Sequence, residues 1–173
     1  DTISEWKIIK NLSIESIKET LNLLDHDFDL WKGESDVNSL IPSMLDNLKK
    51  DKKISLDKGA YISNLDTDPK ILITKSDGSY LYLTTDLATV LNRLDENKVD
   101  KVLYVVDKRQ KLHFEQLISS IKYFEFGNEA YQHVPFGTVN DANGNPFRTR
   151  EGDTKKLFEL FNETFEYIKK INK

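Results

Sequence analysis

An α/β fold with a mainly parallel sheet and a small antiparallel insertion is predicted by three features of the sequence. Val102-Leu103-Tyr104-Val105-Val106 is a near-continuous apolar run, as expected of a parallel strand covered on both faces. Strand-like runs alternate with segments whose apolar residues recur at helical spacing, notably Val37 to Leu48, Leu87 to Leu94 and Lys111 to Tyr123. Between two further strand-like runs, Ile71–Thr74 and Tyr80–Leu83, lies Ser76-Asp77-Gly78, a hairpin signal.

In chain order, Trp6, Ile9, Ile14, Ile17, Leu21 and Leu24 keep helical spacing, interrupted at Asn11 to Ser13. Ser13 and Ser16 offer a fresh start, so the spacing predicts a short helix, a turn and a second helix ending near Leu24. Phe28-Asp29-Leu30-Trp31 alternates like a strand and stops at Gly33. Ser35 or Asp36 then caps a helix whose apolar face is Val37, Leu40, Ile41, Met44, Leu45 and Leu48. Glu34 falls at the carboxyl end of that strand, where α/β sheets bind ligands.

Lys49 to Lys70 is charged and turn-rich, with short strands predicted at Lys53–Leu56 and Ala60–Ser63. Tyr80–Leu83 runs into a helix from Asp86 to about Glu96 that Thr85 or Asp86 caps. After the Val99–Val106 strand, Asp107-Lys108-Arg109-Gln110 occupies its carboxyl end, and a helix follows to about Tyr123. Tyr131 to Thr138 reads as an irregular strand, and Asn143 to Gly152 as an exposed loop. Asp153 or Thr154 starts a last helix with Leu157, Leu160, Phe161, Phe165, Ile168 and Ile171 directed inward.

With 173 residues, 38% hydrophobic and 31% charged, the chain has the composition of a folded domain, or of a large piece of one. A net charge of −4 gives no general attraction to nucleic acid or to anionic membrane. The absence of cysteine removes disulfides, thiolate zinc sites and cysteine nucleophiles, and fits a reducing compartment. No apolar run reaches membrane-spanning length, and no signal-peptide core opens the chain. The first residue is Asp1 rather than Met, which points to a piece of something longer.

Polar residues gather at predicted element ends. Tyr82 and Asp86, four residues apart with Asp86 at a helix mouth, make a phenol and carboxylate pair suited to a guanidinium. The plainer alternative is that Tyr82 packs on the sheet and Asp86 only caps the helix. Together with Glu34 and Gln110 they could satisfy a buried cationic ligand, because an unpaired buried cation costs several kcal/mol. Caps and turn residues in an acid-rich protein account for the same pattern. His26, His113 and His133 lie in separate elements without metal-ligand spacing, so no metal site is expected. Arg148-Thr149-Arg150 could clamp phosphates, or could be an ordinary solvated loop. Dinucleotide, P-loop and serine-hydrolase motifs do not occur.

Four segments taken together resemble the catalytic domain of arginyl-tRNA synthetase, a class I aminoacyl-tRNA synthetase. They are Phe28 to Ser35, Ser76 to Ala88, Tyr104 to Phe114, and His133-Val134-Pro135-Phe136-Gly137. Pro146-Phe147-Arg148-Thr149-Arg150-Glu151-Gly152 falls where that family carries its "KMSKS" signature, here without the usual lysines. Order and spacing agree along nearly the whole chain.

The resemblance implies a Rossmann-like sheet and the activation of L-arginine by ATP, with transfer to tRNA(Arg). It assigns Glu34, Tyr82, Asp86 and Gln110 to arginine. It assigns His113, His133, Val134, Phe136 and Gly137 to ATP, and Arg148, Thr149 and Arg150 to the catalytic phosphate loop. ATP with Mg2+ is implied as co-substrate, with no tightly bound cofactor, no DNA or membrane partner, and a cytoplasmic location. The family's "HIGH" signature does not occur in these residues. The expectation is therefore residues 1–173 as the second half of a catalytic domain, with an antiparallel insertion at about 50–80, unable to form the adenylate alone. The alternative of another class is a non-catalytic α/β module with an acidic cation site.

Overall fold

The computed structural model describes residues 1–96, 99–138, 140, 144 and 157–171. The chain divides into two units, Asp1–Trp31 with Val139–Lys173, and Lys32–Thr138.

The first unit contains helix α1, Thr2–Asn22. It is unbroken, in place of the expected helix-turn-helix. No glycine or proline lies in this stretch, and Asn and Ser reduce helix propensity by well under about 1 kcal/mol each, too little to stop propagation. Asp1 caps it by accepting from the Ile3 amide at 3.2 Å. Phe28–Trp31 is not a strand. An isolated extended segment leaves its backbone groups unpaired, and here the aromatic rings organise it instead. Phe28 meets Trp31 edge-on at 5.6 Å, and Lys18 of α1 lies 4.8 Å above the Trp31 ring. The last helix is Leu157–Ile171. Its Phe165, Ile168 and Ile171, expected to face inward, are exposed.

The second unit begins with a 3₁₀ segment, Glu34–Leu40, that leads directly into α2, Ile41–Lys50. Asp36 shapes the entry by accepting from the Gly33 amide at 2.8 Å. The expected apolar face is buried at Val37, Ile41, Met44, Leu45 and Leu48. Glu34 therefore opens a 3₁₀ turn and does not end a strand.

Strands β1, Ile54–Asp57, and β2, Ala60–Ser63, form the antiparallel insertion, with Ile54 opposite Ser63. Lys58 and Gly59 both have positive φ, 47° and 84°, which gives the two-residue turn whose twist suits a hairpin. Ile71–Thr74 lies beside β2 through a bridge from Leu72 to Ile62 and a 2.8 Å bond from the Ser63 amide to the Ile71 carbonyl. The hairpin expected between Ile71–Thr74 and Tyr80–Leu83 shrinks to a single bridge, Thr74 to Tyr80.

It shrinks because the next helix, α3, starts early and spans Tyr82–Glu96. The Leu81 carbonyl accepts from the amides of Thr84 and Thr85 at 3.0 and 3.2 Å, so Thr85 and Asp86 lie inside the helix and do not cap it. Strand β3, Lys101–Asp107, and strand β4, Ala130–Phe136, then pair in parallel, with Tyr104 opposite His133. They are linked by a 3₁₀ turn at Lys108–Gln110 and helix α4, Lys111–Phe124. Contrary to expectation, β3 is covered on one face only: Leu103 is 51% and Val105 61% exposed.

The core of this unit joins α2, α3 and α4 to Ile54, Ile71 and Ile73. Leu87 and Leu117 are fully buried at its centre. The hydroxyl of Thr84, also buried, donates to the Ile73 carbonyl and ties α3 to the insertion. Replacing Leu87 with Ala should lower unfolding free energy by about 2–5 kcal/mol in urea titration, the usual range for a fully buried leucine.

Candidate arginine and nucleotide site

The buried stripe of α3, Leu83, Leu87, Ala88 and Val90, decides which side chains of that helix face away from the core. Asp86 is among them. As the fifth helical residue it lies beyond the turn where the helix dipole acts strongly on a carboxylate. Its partner is an imidazole: His113 Nε2 lies 2.6 Å from Asp86 Oδ2, both side chains being half-buried. A carboxylate offers only acceptors, so Nε2 carries the proton and donates. Oδ1 accepts no hydrogen bond among the described residues.

His113 is delivered by the turn after β3. Asp107 accepts from the Arg109 amide at 2.8 Å and clamps the Arg109 guanidinium through Nε at 3.0 Å and Nη2 at 2.9 Å. The Arg109 hydrogen bonds hold the Asp107 carboxyl below its usual range. That closed turn leads into α4 and leaves Gln110 exposed at the residue just before the helix.

Behind His113 lies an aromatic stack. Phe114 is buried, 4.8 Å from the Tyr104 ring and 5.1 Å from the His133 ring, nearly parallel to the latter at 26°. Arg93 Nη1 donates to the Tyr104 hydroxyl at 3.5 Å, with the guanidinium 5.7 Å from the ring centre. Burial pushes the Tyr104 phenol up to about 12; Arg93 opposes the rise, and the negative charge of Asp86 adds to it.

The structure thus joins Asp86, His113 and His133 in one cluster. Tyr82 lies one turn before Asp86 on α3, 75% exposed. Val134 is half-buried beside His133, while Phe136 and Gly137 are exposed at and just beyond the end of β4. Glu34 and Gln110 are exposed and make no side-chain hydrogen bond among the described residues. Arg148, Thr149 and Arg150 lie outside the described residues. Tyr104, Phe114 and Arg93 were not singled out from sequence. A signal existed: Tyr104 alternates inward with Val102 and Val106, and Arg93 follows Asp86 by seven residues, two turns along the same face.

A parallel strand pair joined by a helix, with polar groups at the carboxyl end of β3, is the ligand-binding geometry of α/β nucleotide enzymes. A family model described as "tRNA synthetases class I (R), catalytic domain" matches residues 2–173, and the chain belongs to that family. Within class I this is the arginyl-tRNA synthetase family. The chain is 40% identical over 171 residues to the arginine–tRNA ligase of Francisella tularensis subsp. novicida (strain U112). It is 42% identical over 163 residues to that of Alkaliphilus oremlandii (strain OhILAs). These matches cover 96% and 90% of the chain but only 29% and 28% of the relatives, so the chain corresponds to a fragment of them. The crystal structure of arginyl-tRNA synthetase from Plasmodium falciparum superposes with a TM-score of 0.76 at 26% identity, covering 96% of this chain and 29% of that one.

Alkaline titration followed by tyrosine absorbance should show a late phase near 12 that Tyr104→Phe removes. Because the folded value lies above the ordinary 10, the unfolded state loses its proton first, and stability should fall as pH rises from 10 through about 12.

Proposed function

We propose that this chain is part of the catalytic domain of an arginine–tRNA ligase, which activates L-arginine with ATP to arginyl-adenylate and passes it to tRNA(Arg). The observation that carries this reading is the Asp86 carboxylate, held on one oxygen by His113 at 2.6 Å with Oδ1 left over. The exposed phenol of Tyr82 one turn away adds a second oxygen. A guanidinium presents its N–H donors as a planar fork, and two separate oxygens can meet it.

Glu34 and Gln110, both exposed, are assigned to the rest of the amino acid, with Gln110 at its α-amino end. His133, Val134, Phe136 and Gly137 border the adenosine, where the His133 ring adds aromatic surface to the Phe114 stack. Arg148, Thr149 and Arg150 approach the ATP phosphates, and magnesium arrives with the nucleotide. The arginine carboxylate attacks the α-phosphorus in line, expelling pyrophosphate. Such a displacement needs alignment and charge stabilisation more than proton transfer.

Residues 1–173 form one partial Rossmann-like domain in this reading, with the segment at about 50–80 as its insertion. A cytoplasmic location suits both the cysteine-free sequence and a role in translation. Among the described residues no helix is long and apolar enough to cross a membrane.

In the full-length protein that carries this chain, Asp86→Ala should lower kcat/KM for arginine in ATP–pyrophosphate exchange by at least about a hundredfold, since it removes a charged hydrogen-bonding partner. A loss under about threefold would remove Asp86 from the site. The 173-residue chain by itself, lacking a "HIGH" signature, should show no arginine-dependent exchange above background, and measurable exchange would refute that.

A further inference from the structure

We propose that His113 is a positioning residue for arginine: it holds the Asp86 carboxylate in the orientation that receives the guanidinium. This rests on the arginine site described above and reassigns a histidine that the family resemblance placed beside ATP.

A carboxylate on a helix surface can rotate about two side-chain bonds, and only some orientations present an oxygen to a ligand. The 2.6 Å contact from Nε2 to Oδ2 selects one. Both ends of that contact are fixed from below. Asp86 directly precedes Leu87, and α4 is anchored by Leu117; both leucines are fully buried. The imidazole stands edge-on to Phe114 at 5.0 Å and 89°, and Phe114 is itself held between Tyr104 and His133. The imidazole therefore has little freedom to follow a moving carboxylate, and the carboxylate must settle onto it.

The chemical type of the donor matters as much as its place. Lysine or arginine at position 113 would always bring a full positive charge, cancelling that of Asp86 and competing with a cationic substrate. Imidazole supplies one directed N–H to Oδ2 from a short, rigid ring. It leaves Oδ1 for the ligand.

The test uses the full-length protein, with separate KM values for arginine and ATP from pyrophosphate exchange, and thermal melts to confirm folding. Gln places its amide nitrogen where Nε2 was, Asn falls short of Asp86, and Leu fills the space with no donor. His113→Leu and His113→Asn should each raise KM for arginine about tenfold or more, leave KM for ATP unchanged, and alter kcat by less than about threefold. His113→Gln should restore KM for arginine to within about threefold of the parent. If His113→Leu does not fold, the Asn and Gln pair decides the same question with two polar side chains.

A KM for arginine within about twofold of the parent in His113→Asn, while Asp86→Ala is severely impaired, overturns the positioning role and leaves the arginine site standing. A rise in KM for ATP in place of arginine overturns it too and returns His113 to the nucleotide. If Asp86→Ala is also silent, the arginine site and this role fall together.

Discussion

The rotation of α3 about its own axis is set by apolar burial, and the candidate site follows from it. Leu83, Leu87, Ala88 and Val90 form the stripe against the core, and the Thr84 hydroxyl ties the helix to the Ile73 carbonyl. At about 100° per residue, turning the helix enough to reorient Asp86 would bring Leu87 toward water. Burial of Leu83, Leu87 and Val90 is worth about 1.5–3 kcal/mol each, whereas the single hydrogen bond to the carboxylate contributes about 1.5–3 kcal/mol. Packing therefore wins: it places the backbone of Asp86, and the pairing with His113 only selects the direction of the carboxylate.

The same division of labour holds on the other side of the cluster. Tyr104 and His133 sit at paired positions of β3 and β4, so strand register brings both rings to the same face of the sheet. Phe114, in the first turn of α4, fills the space over them. The residue before it, His113, is then aimed at α3. Arg93 meets the Tyr104 hydroxyl at the far end, which keeps a half-buried phenol hydrogen-bonded. Membership of the arginyl-tRNA synthetase family and this geometry bear on function in different ways. The first gives the class of protein to which the chain belongs. The second gives a physical reason why a particular carboxylate would be ready for a cationic ligand before it arrives.

Much of this could be read from the sequence alone. The apolar spacing from Val37 to Leu48 and from Leu87 to Leu94 found the helices because burial of one face is a local pattern. The β1 and β2 strands and the β3–α4–β4 order were legible too, whereas Asp86 was singled out as a helix-mouth carboxylate, a place it does not hold. Other elements were decided by partners distant in the chain. Phe28–Trp31 alternates like a strand, yet strand pairing needs a neighbour, and aromatic contacts took its place. The apolar run of β3 implied cover on both faces, but Leu103 and Val105 are exposed. Thr85 and Asp86 had the chemistry of caps, but the helix began at Tyr82, one turn earlier, and freed Asp86 for His113. No periodicity could have shown that last contact. It joins residues 27 apart on two helices, and only the packing of both against a shared core sets the distance between them.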